Sequence, residues 1–241
     1  MRIDIKKNLL VLGVLGSLLV LPSAAFAQTA SPTPATQAQR ISDLHTKCDD
    51  AISQRLASLN STSTRINGLA KLSASDKAKF SGEIATDLSG LTALKAKCDA
   101  DTDLATLRAD YQSVFTQYRI YAVFLPQLNL LVASDTMSVT TDKLNTLATD
   151  LQARIQTAGN PSNLTTLLAD MQAKIADAKT QYGNVESQIT PLTPNSFNTD
   201  PNGTKTIETN ARGEIKTGSA DLKAAYQDAL QIRTGLKGTT H

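Results

Sequence analysis

Apolar residues recur three and four positions apart along most of the chain, and no segment shows the period-two alternation of a half-buried strand. The clearest stripe follows Asn160-Pro161, which are predicted as the N-cap and the first helical residue. Its members are separated alternately by four and three residues: Leu164, Leu168, Met171, Ile175, Ala178, Tyr182, Val185, Ile189 and Leu192. A heptad stripe of this length is typical of a helix packed along one seam, and it predicts an all-α fold.

The helix before this stripe is predicted to pair with it as an antiparallel hairpin. Facing residues of such a hairpin have a constant sum of residue numbers, and several apolar pairs, among them Leu144 with Ile175, share one sum. The midpoint of these pairs falls between Gly159 and Asn160, where helix-capping chemistry independently indicates a turn. Two separate signals therefore give the same register.

The first half of the chain forms another hairpin by the same test. Its helices are predicted over about 37–69 and 75–98, with Ser73 or Ser75 as the N-cap of the second helix. Apolar pairs across these two helices, such as Ile52 with Leu94 and Leu59 with Leu88, have sums that agree to within one, and the midpoint lies in the turn between the helices.

The segment between the hairpins, 104–133, is the most apolar part of the chain after the leader, and we expect it to occupy the middle of the packing. Pro126 lacks an amide hydrogen, which predicts a kink or break there. A last helix follows the loop over 191–201 and runs to about residue 237. The aromatic residues of the middle segment could line a ligand groove, but aromatic residues at helical spacing are more often core: Tyr111, Phe115, Tyr118, Tyr121 and Phe124.

Together these elements predict an elongated antiparallel helical bundle of five or six long helices. We expect two three-helix units, one over 40–125 and one over 126–241, that share the helix kinked at Pro126. One compact bundle of all the helices is the alternative arrangement.

Residues 1–27 have the three parts of a secretory signal peptide. A basic stretch precedes an apolar run over 9–21, and Ala25-Phe26-Ala27 supplies a small-residue cleavage pattern. The apolar run is shorter than the ~20 residues that span a bilayer, so an uncleaved anchor is the weaker alternative. Cleavage after Ala27 predicts a product exported to the periplasm, the cell surface or the extracellular medium, without stable membrane insertion. Residues 28–39, rich in Thr, Ala and Pro, predict a flexible linker.

Charge narrows the choice of partner. The chain carries 24 basic and 22 acidic residues. Arg2, Lys6, Lys7 and Asp4 lie in the leader, so the rest of the chain is formally neutral. A neutral chain lacks the basic surface of a nucleic-acid binder, and we expect no nucleic-acid partner.

The chain has two cysteines, Cys48 and Cys98, which face each other in the register of the first hairpin. Export would place them where disulfides persist. We therefore predict a Cys48–Cys98 disulfide that joins the first two helices far from their turn; a pair of buried, reduced thiols is the alternative. In the same register Asp49 faces Lys97, which predicts an exposed ion pair.

Two residue patterns suggest chemistry, and each has a structural alternative. His45 lies one turn before Cys48, as in a Cys–His nucleophile pair, but a cysteine that is buried and oxidised has no thiolate. The aspartates over 99–103, together with Asp110, are spaced as in a calcium loop that lacks its glycine and glutamate. Capping of the next helix is their simpler role, and calcium binding by Asp99–Asp103 stays open. We assign no catalytic, metal-binding or cofactor-binding residue, and expect no cofactor and no enzymatic activity.

The segments KCDADTDLATLRADYQ (97–112) and YRIYAVFLP (118–126) resemble uncharacterised exported all-helical proteins of bacteria. The resemblance extends over most of the chain after the leader. It implies export and an all-helical fold, and because it carries no known activity, no functional residue is transferred from it.

The sequence favours a non-enzymatic exported helical protein that acts as a cell-envelope or surface interaction module. Long helical seams suit the binding of protein partners or self-association. The alternative is a periplasmic chaperone-like protein that holds unfolded clients on an apolar surface. A third class, a hydrolase that uses acidic residues, ranks last because no carboxylate pair is marked out by the sequence. A broad exposed apolar patch would favour the chaperone and covered seams the module, while a polar cleft with clustered acids of shifted pKa would favour the enzyme.

Overall fold

The computed structural model describes residues 34–70 and 72–238, and within those ranges the chain is helical and has no strand. The α-helices are Pro34–Gly68 (α1), Ala74–Ala100 (α2), Leu104–Thr116 (α3), Leu125–Thr157 (α4), Ser162–Ile189 (α5), Pro194–Thr199 (α6) and Pro201–Gly238 (α7). A π-helical segment, Ile120–Phe124 (the π turn), leads directly into α4. The predicted all-α helical bundle is confirmed.

Of the predicted leader and linker, residues 34–39 lie within the described part of the chain. The signal peptide over 1–27 and residues 28–33 of the linker lie outside the described residues. Residues 34–39 of the predicted linker belong to α1 and are helical, which corrects that part of the prediction. Proline is tolerated at the first position of a helix, and the Ala and Gln residues that follow it are good helix formers.

The turn between α1 and α2 is fixed by two hydrogen bonds of Ser73. Its side chain accepts a hydrogen bond from the Asp76 amide at 3.0 Å, so Ser73 is the N-cap of α2. Its own amide donates to the Asp135 carboxylate of α4 at 2.8 Å. The turn of the first hairpin is therefore tied to the second hairpin.

A disulfide joins Cys48 of α1 to Cys98 of α2, the pair that the register predicts, with the two Cα atoms 6.6 Å apart. Both cysteines are buried. The predicted Asp49–Lys97 ion pair is replaced by Lys95, which bridges Asp49 and Asp99. Residue 97 directly precedes a residue of the seam and points away from the partner helix, whereas Lys95 lies three positions before Cys98 at the edge of the seam.

The helical structure is interrupted between α3 and α4 at 117–119, whereas the sequence predicts the interruption at Pro126. Pro126 lies in the first turn of α4, where a missing N–H costs little. Since α3 packs against α1 and α2, while α4 packs against α5 and α7, two separate helices stand where one shared, kinked helix is predicted.

The aromatic residues of this middle region enclose a buried arginine. Arg55 of α1 is 7% exposed, and its guanidinium lies 4.6 Å from the ring centroid of Phe115 and 5.4 Å from that of Tyr121. It donates a hydrogen bond to the Ala51 carbonyl at 2.9 Å. Burial lowers the pKa of Arg55. The faces of the two aromatic rings stabilise its positive charge. The aromatic residues of α3 therefore serve the core.

Helices α4 and α5 form the second hairpin. Its turn lies at Gly159 and Asn160, as predicted, with φ angles of +80° and +55°. Asn160 is consequently not the N-cap of α5, which begins at Ser162 after Pro161. Glycine and asparagine adopt the left-handed conformation more readily than other residues, which explains why α4 ends at this pair.

Small residues bring α7 close to α5. A Cβ atom at Gly218 would overlap the Met137 side chain and lie 3.1 Å from the Cβ of Gln181, and one at Gly235 would lie 2.6 Å from a Leu164 methyl group. These contacts place α7 antiparallel to α5 and parallel to α4. The three helices thus form an up-down-up bundle.

Buried apolar side chains form two clusters. The first lies among α1, α2, α3, the π turn and the start of α4, and the second lies among the remaining parts of α4, α5 and α7. Val185, Ile189 and Ala211, from α5 and α7, belong to the first cluster, and half-buried Ile215 packs against both. The two cores therefore share helices rather than meeting across a linker.

One 18-residue window between Leu104 and Thr157 is apolar enough to cross a membrane, judged by length and composition alone. Of that window, 44% is buried inside the fold. The core helix of a soluble protein meets the same criterion, so the window carries no argument for membrane insertion.

Removal of the disulfide is expected to lower stability. The bond closes a loop across 50 positions, and loss of a cross-link of that length costs about 4 kcal/mol on the loop-entropy model. Cys48→Ala with Cys98→Ala should therefore lower the free energy of unfolding by roughly that amount in urea titrations. An unchanged free energy, with wild-type protein shown to be oxidised by thiol titration, would contradict the prediction.

Substitution of a buried threonine is expected to raise stability. The Thr141 hydroxyl is buried and lacks a hydrogen-bond partner, whereas the hydroxyl of neighbouring Thr140 donates to the Thr136 carbonyl at 2.8 Å. Thr141→Val should raise the free energy of unfolding by about 1 kcal/mol, because it removes an unsatisfied polar group at constant shape. Thr140→Val is the matched control and should give no gain. Equal effects of the two substitutions would show that the Thr141 hydroxyl is satisfied.

Candidate functional site

A cleft of about 360 Å³ lies where α2, the π turn and the loop between α5 and α6 converge. Its volume is at the lower end of the range for small-molecule sites, ~300–1,000 Å³. Apolar and charged side chains share its wall. The residues that line it are Gly82, Glu83, Thr86, Asp87, Arg119, Val123, Phe124, Gln127, Leu192, Thr193 and Pro194.

Two carboxylates of α2 face this cleft. Glu83 and Asp87 are four residues apart, so they lie one above the other on the same face of the helix. Burial raises the pKa of Asp87 to about 6, and the negative charge of Glu83 adds to the effect. Burial likewise raises the pKa of Glu83, and the positive charge of Lys79 opposes that shift. The acids are thus held in a partly dehydrated setting, where an added cation would be favourable.

Lys79 supplies one ammonium group at the edge of the cleft. Its Nζ lies 4.0 Å from the Glu83 carboxylate and donates to the Thr190 carbonyl at 3.3 Å. It does not contribute to the pKa shift of Asp87, whose causes are burial and Glu83 alone. Asp87 is therefore the less compensated of the two acids.

The apolar wall of the cleft is anchored in the first core. Val123 and Phe124 of the π turn are buried, and the Phe124 ring meets Phe80 edge to face at a centroid distance of 5.7 Å. Such a pair adds stability beyond simple burial. A π turn widens the backbone locally and is frequently found at functional sites. The wall facing the acids is therefore rigid and apolar.

A buried amide holds the α5–α6 loop over this wall. Gln127 is 3% exposed, and its Nε2 donates to the carbonyls of Ile189, Thr190 and Leu192 at 2.9, 3.2 and 3.4 Å. These carbonyls lie at and just beyond the end of α5, and the Ile189 carbonyl also accepts from the Leu192 amide at 3.1 Å. Gln127 therefore holds the α5–α6 loop at one side of the cleft.

Arg119 lines the cleft, and its guanidinium is hydrogen-bonded to a neutral side chain. Its Nε and Nη2 donate to the Asn198 side-chain oxygen at 2.8 and 2.6 Å, and its guanidinium lies 4.7 Å from the Phe197 ring centroid. Asn198 in turn donates to the Thr116 carbonyl at 2.7 Å. In the described structure Arg119 forms no ion pair with the two acids, and it fastens α6 beside the π turn.

Tyr118 lies against α2 one turn beyond Asp87. A Cβ at Gly90 would overlap the Tyr118 hydroxyl, so glycine at this position allows the ring to cross the helix. Burial raises the pKa of Tyr118, and the negative charge of Asp87 adds to the shift. The phenol therefore stays protonated and neutral beside the acids.

The predicted chemical candidates lie elsewhere. Cys48 is bonded to Cys98, so it has no thiol with which His45 could form a nucleophile pair; the His45 Nε2 is 2.8 Å from the Asp101 carbonyl. Asp103 caps α3 by accepting from the Thr106 amide at 2.8 Å, the role that its position predicts. Among the described residues there is no group of three or more His, Cys, Asp or Glu side chains suited to a metal ion.

The sequence does not predict the cleft. Glu83 and Asp87 lie at helical spacing on a helix with an apolar stripe, and Arg119, Val123 and Gln127 belong to the segment that the sequence predicts as core. The one local signal was a pair of like charges four residues apart, which weakens an isolated helix and so invites a functional explanation. The partners across the cleft follow only from tertiary packing.

Comparisons with known proteins give no relative for this chain. No protein-family model matches it, and neither a curated protein nor a solved structure does so.

The pKa of Asp87 predicts a distinct pH dependence of stability. The folded-state value, about 6, exceeds the ordinary value of 3.8, so the folded chain binds the proton more readily and this group's contribution to stability increases as pH falls from 7 to 4. Asp87→Asn should therefore stabilise the protein most at pH 7–8, and the gain should shrink toward pH 4. Urea titrations across this range measure it. Asp177→Asn, an exposed acid of α5, is the control; a pH-independent gain at position 87 would contradict the assignment.

Proposed function

We propose that this chain is a non-enzymatic, exported helical interaction module whose cleft binds an ammonium group on an apolar stem, such as a lysine side chain of a partner protein. The observation that supports it best is the pairing of Glu83 and Asp87 with an apolar wall in one small cleft. The carboxylates would bind the ammonium group, and Val123 and Phe124 would pack against its stem. Lys79 at the cleft edge is an internal example of this attraction.

Binding explains the cleft better than catalysis does. The described residues that line the cleft include no nucleophile paired with a base and no group placed to stabilise an oxyanion. The Gln127 amide and the Arg119 guanidinium, which could act on a substrate, are both engaged in holding the surrounding elements. Two acids in a dehydrated setting, by contrast, are what recognition of a cation needs.

The chaperone-like alternative has less support. Holding unfolded clients calls for a broad exposed apolar surface. Among the described residues, the large apolar side chains classed as exposed are Tyr121 and Tyr226, which are 48% and 47% exposed. The long seams of α1–α2 and α4–α5 are covered, and covered seams favour a module that binds at a defined site.

Export remains part of the proposal. The leader over 1–27 motivates it, and a Cys48–Cys98 disulfide is compatible with an oxidising compartment. A structural disulfide far from the cleft would preserve the first hairpin, and with it Glu83 and Asp87, outside the cytoplasm.

The proposal is tested by titrating the isotope-labelled mature chain with a short peptide that carries one lysine among leucines, followed by NMR. At pH 8 the amide signals of the cleft residues should shift, and Asp87→Asn should weaken the affinity by about tenfold, since each lost charge-assisted hydrogen bond is worth about 1.5–3 kcal/mol. The same peptide with an acetylated lysine, which is neutral, and the Asp177→Asn variant are the controls. Equal binding of the acetylated peptide would contradict the proposal.

A further inference from the structure

A second surface feature lies along α4 and α7. Two hollows, of about 500 and 350 Å³, follow one another along α4 and α7. The first lies between Ala133 and Ile215, and the second begins one turn further along both helices, at Thr136 and Ser219. The two hollows lie in line along the same pair of helices and are here called together the α4–α7 groove.

The groove has an apolar floor. Buried Leu130, Met137 and Leu144 of α4 face Leu222 of α7, and half-buried Ile215 lies between the two hollows. The stretch of α4 that lines it, 125–144, is about 28 Å long at 1.5 Å per residue, enough for five turns of a facing helix. Its dimensions therefore suit a helix rather than a small molecule.

Both exposed tyrosines line this groove, one at each end. Tyr121 contributes to the first hollow and Tyr226 to the second. The Tyr121 hydroxyl is fixed by Ser58 Oγ at 2.8 Å and by the Gln54 carbonyl at 3.2 Å. Tyrosine is enriched at interfaces because it presents a large apolar face with a polar tip, and a fixed ring loses little entropy on binding.

The rim of the groove is basic. Arg212 and Lys223 line it from α7, and none of the lining residues is acidic. Arg65 reaches it from α1 by donating to the side-chain oxygen of the lining residue Asn129 at 3.1 Å. Arg212 is partly neutralised by Glu208, 3.6 Å away and largely covered, whereas Lys223 has no such partner in the described structure. The rim thus complements an acidic partner.

We infer that the α4–α7 groove is a docking surface for an acidic amphipathic helix of a partner protein. Since α4 and α7 run parallel and α5 antiparallel to them, a helix laid between α4 and α7 completes a four-helix arrangement. Its apolar face packs against Tyr121, Tyr226 and half-buried Ile215, and its carboxylates meet Lys223 and Arg212. This surface is separate from the cleft, and the inference does not depend on the ligand proposed there.

Two designed helical peptides test this inference on the full mature chain. Both carry leucine along one face, with glutamate on the other face in the first peptide and glutamine in the second, since a lysine-bearing peptide is the ligand proposed for the cleft. In fluorescence anisotropy the acidic peptide should bind at least about tenfold more tightly than the neutral one, and the difference should fall at high salt. Lys223→Glu and Tyr226→Ser should each weaken the acidic peptide several-fold, whereas Lys179→Glu, on the exposed face of α5, should not.

Three results would overturn the inference. Equal affinity for the two peptides would remove the charge argument, and equal effects of Lys223→Glu and Lys179→Glu would place binding elsewhere. A concentration-dependent dimer in ultracentrifugation that Tyr226→Ser dissociates would show that a second copy occupies the groove. Circular dichroism of each variant checks that the bundle is intact, and Asp87→Asn should leave peptide affinity unchanged, which separates this surface from the cleft.

Discussion

The buried amide of Gln127 is the interaction on which the closed side of the cleft depends. It lies at the start of α4 and donates to the carbonyls of Ile189, Thr190 and Leu192, at and just beyond the end of α5, so the buried amide group is itself satisfied. Ile189 and Leu192 belong, like the start of α4, to the first core. Gln127 thereby fixes the loop between α5 and α6, which closes the cleft beside Phe124.

The electrostatics of the cleft follow from that packing. Glu83 and Asp87 would be ordinary surface acids on an isolated α2, but the loop after α5 and the π turn cover them and remove water. The raised pKa of Asp87 reports the cost of keeping its negative charge there. The ammonium group proposed as the ligand would offset this cost. Stability and recognition would then be opposed at Asp87, as at many functional sites.

Regular features of this fold could be read from the sequence, and the irregular ones could not. The seams of both hairpins follow from heptad spacing, and the register together with the expected export pairs Cys48 with Cys98. Pro126 does not mark the interruption, because proline breaks a helix in its interior but is tolerated in its first turn. Only the π turn before α4 shows that Pro126 lies in a first turn. The cleft joins residues of α2, α4 and the α5–α6 loop, whose meeting is a property of tertiary packing. The spacing of residues within one helix does not predict that these residues meet.

We propose that the apolar stem of an ammonium-bearing side chain packs between the two acids and the π turn. Intermolecular nuclear Overhauser effects between the lysine methylene protons of a bound peptide and the protein measure this contact directly. We expect such effects to the Phe124 ring and to the methyl groups of Val123 and Leu192, which line the cleft with Asp87. Effects confined to side chains of the α4–α7 groove, or the absence of any effect to these cleft side chains, would contradict the proposal.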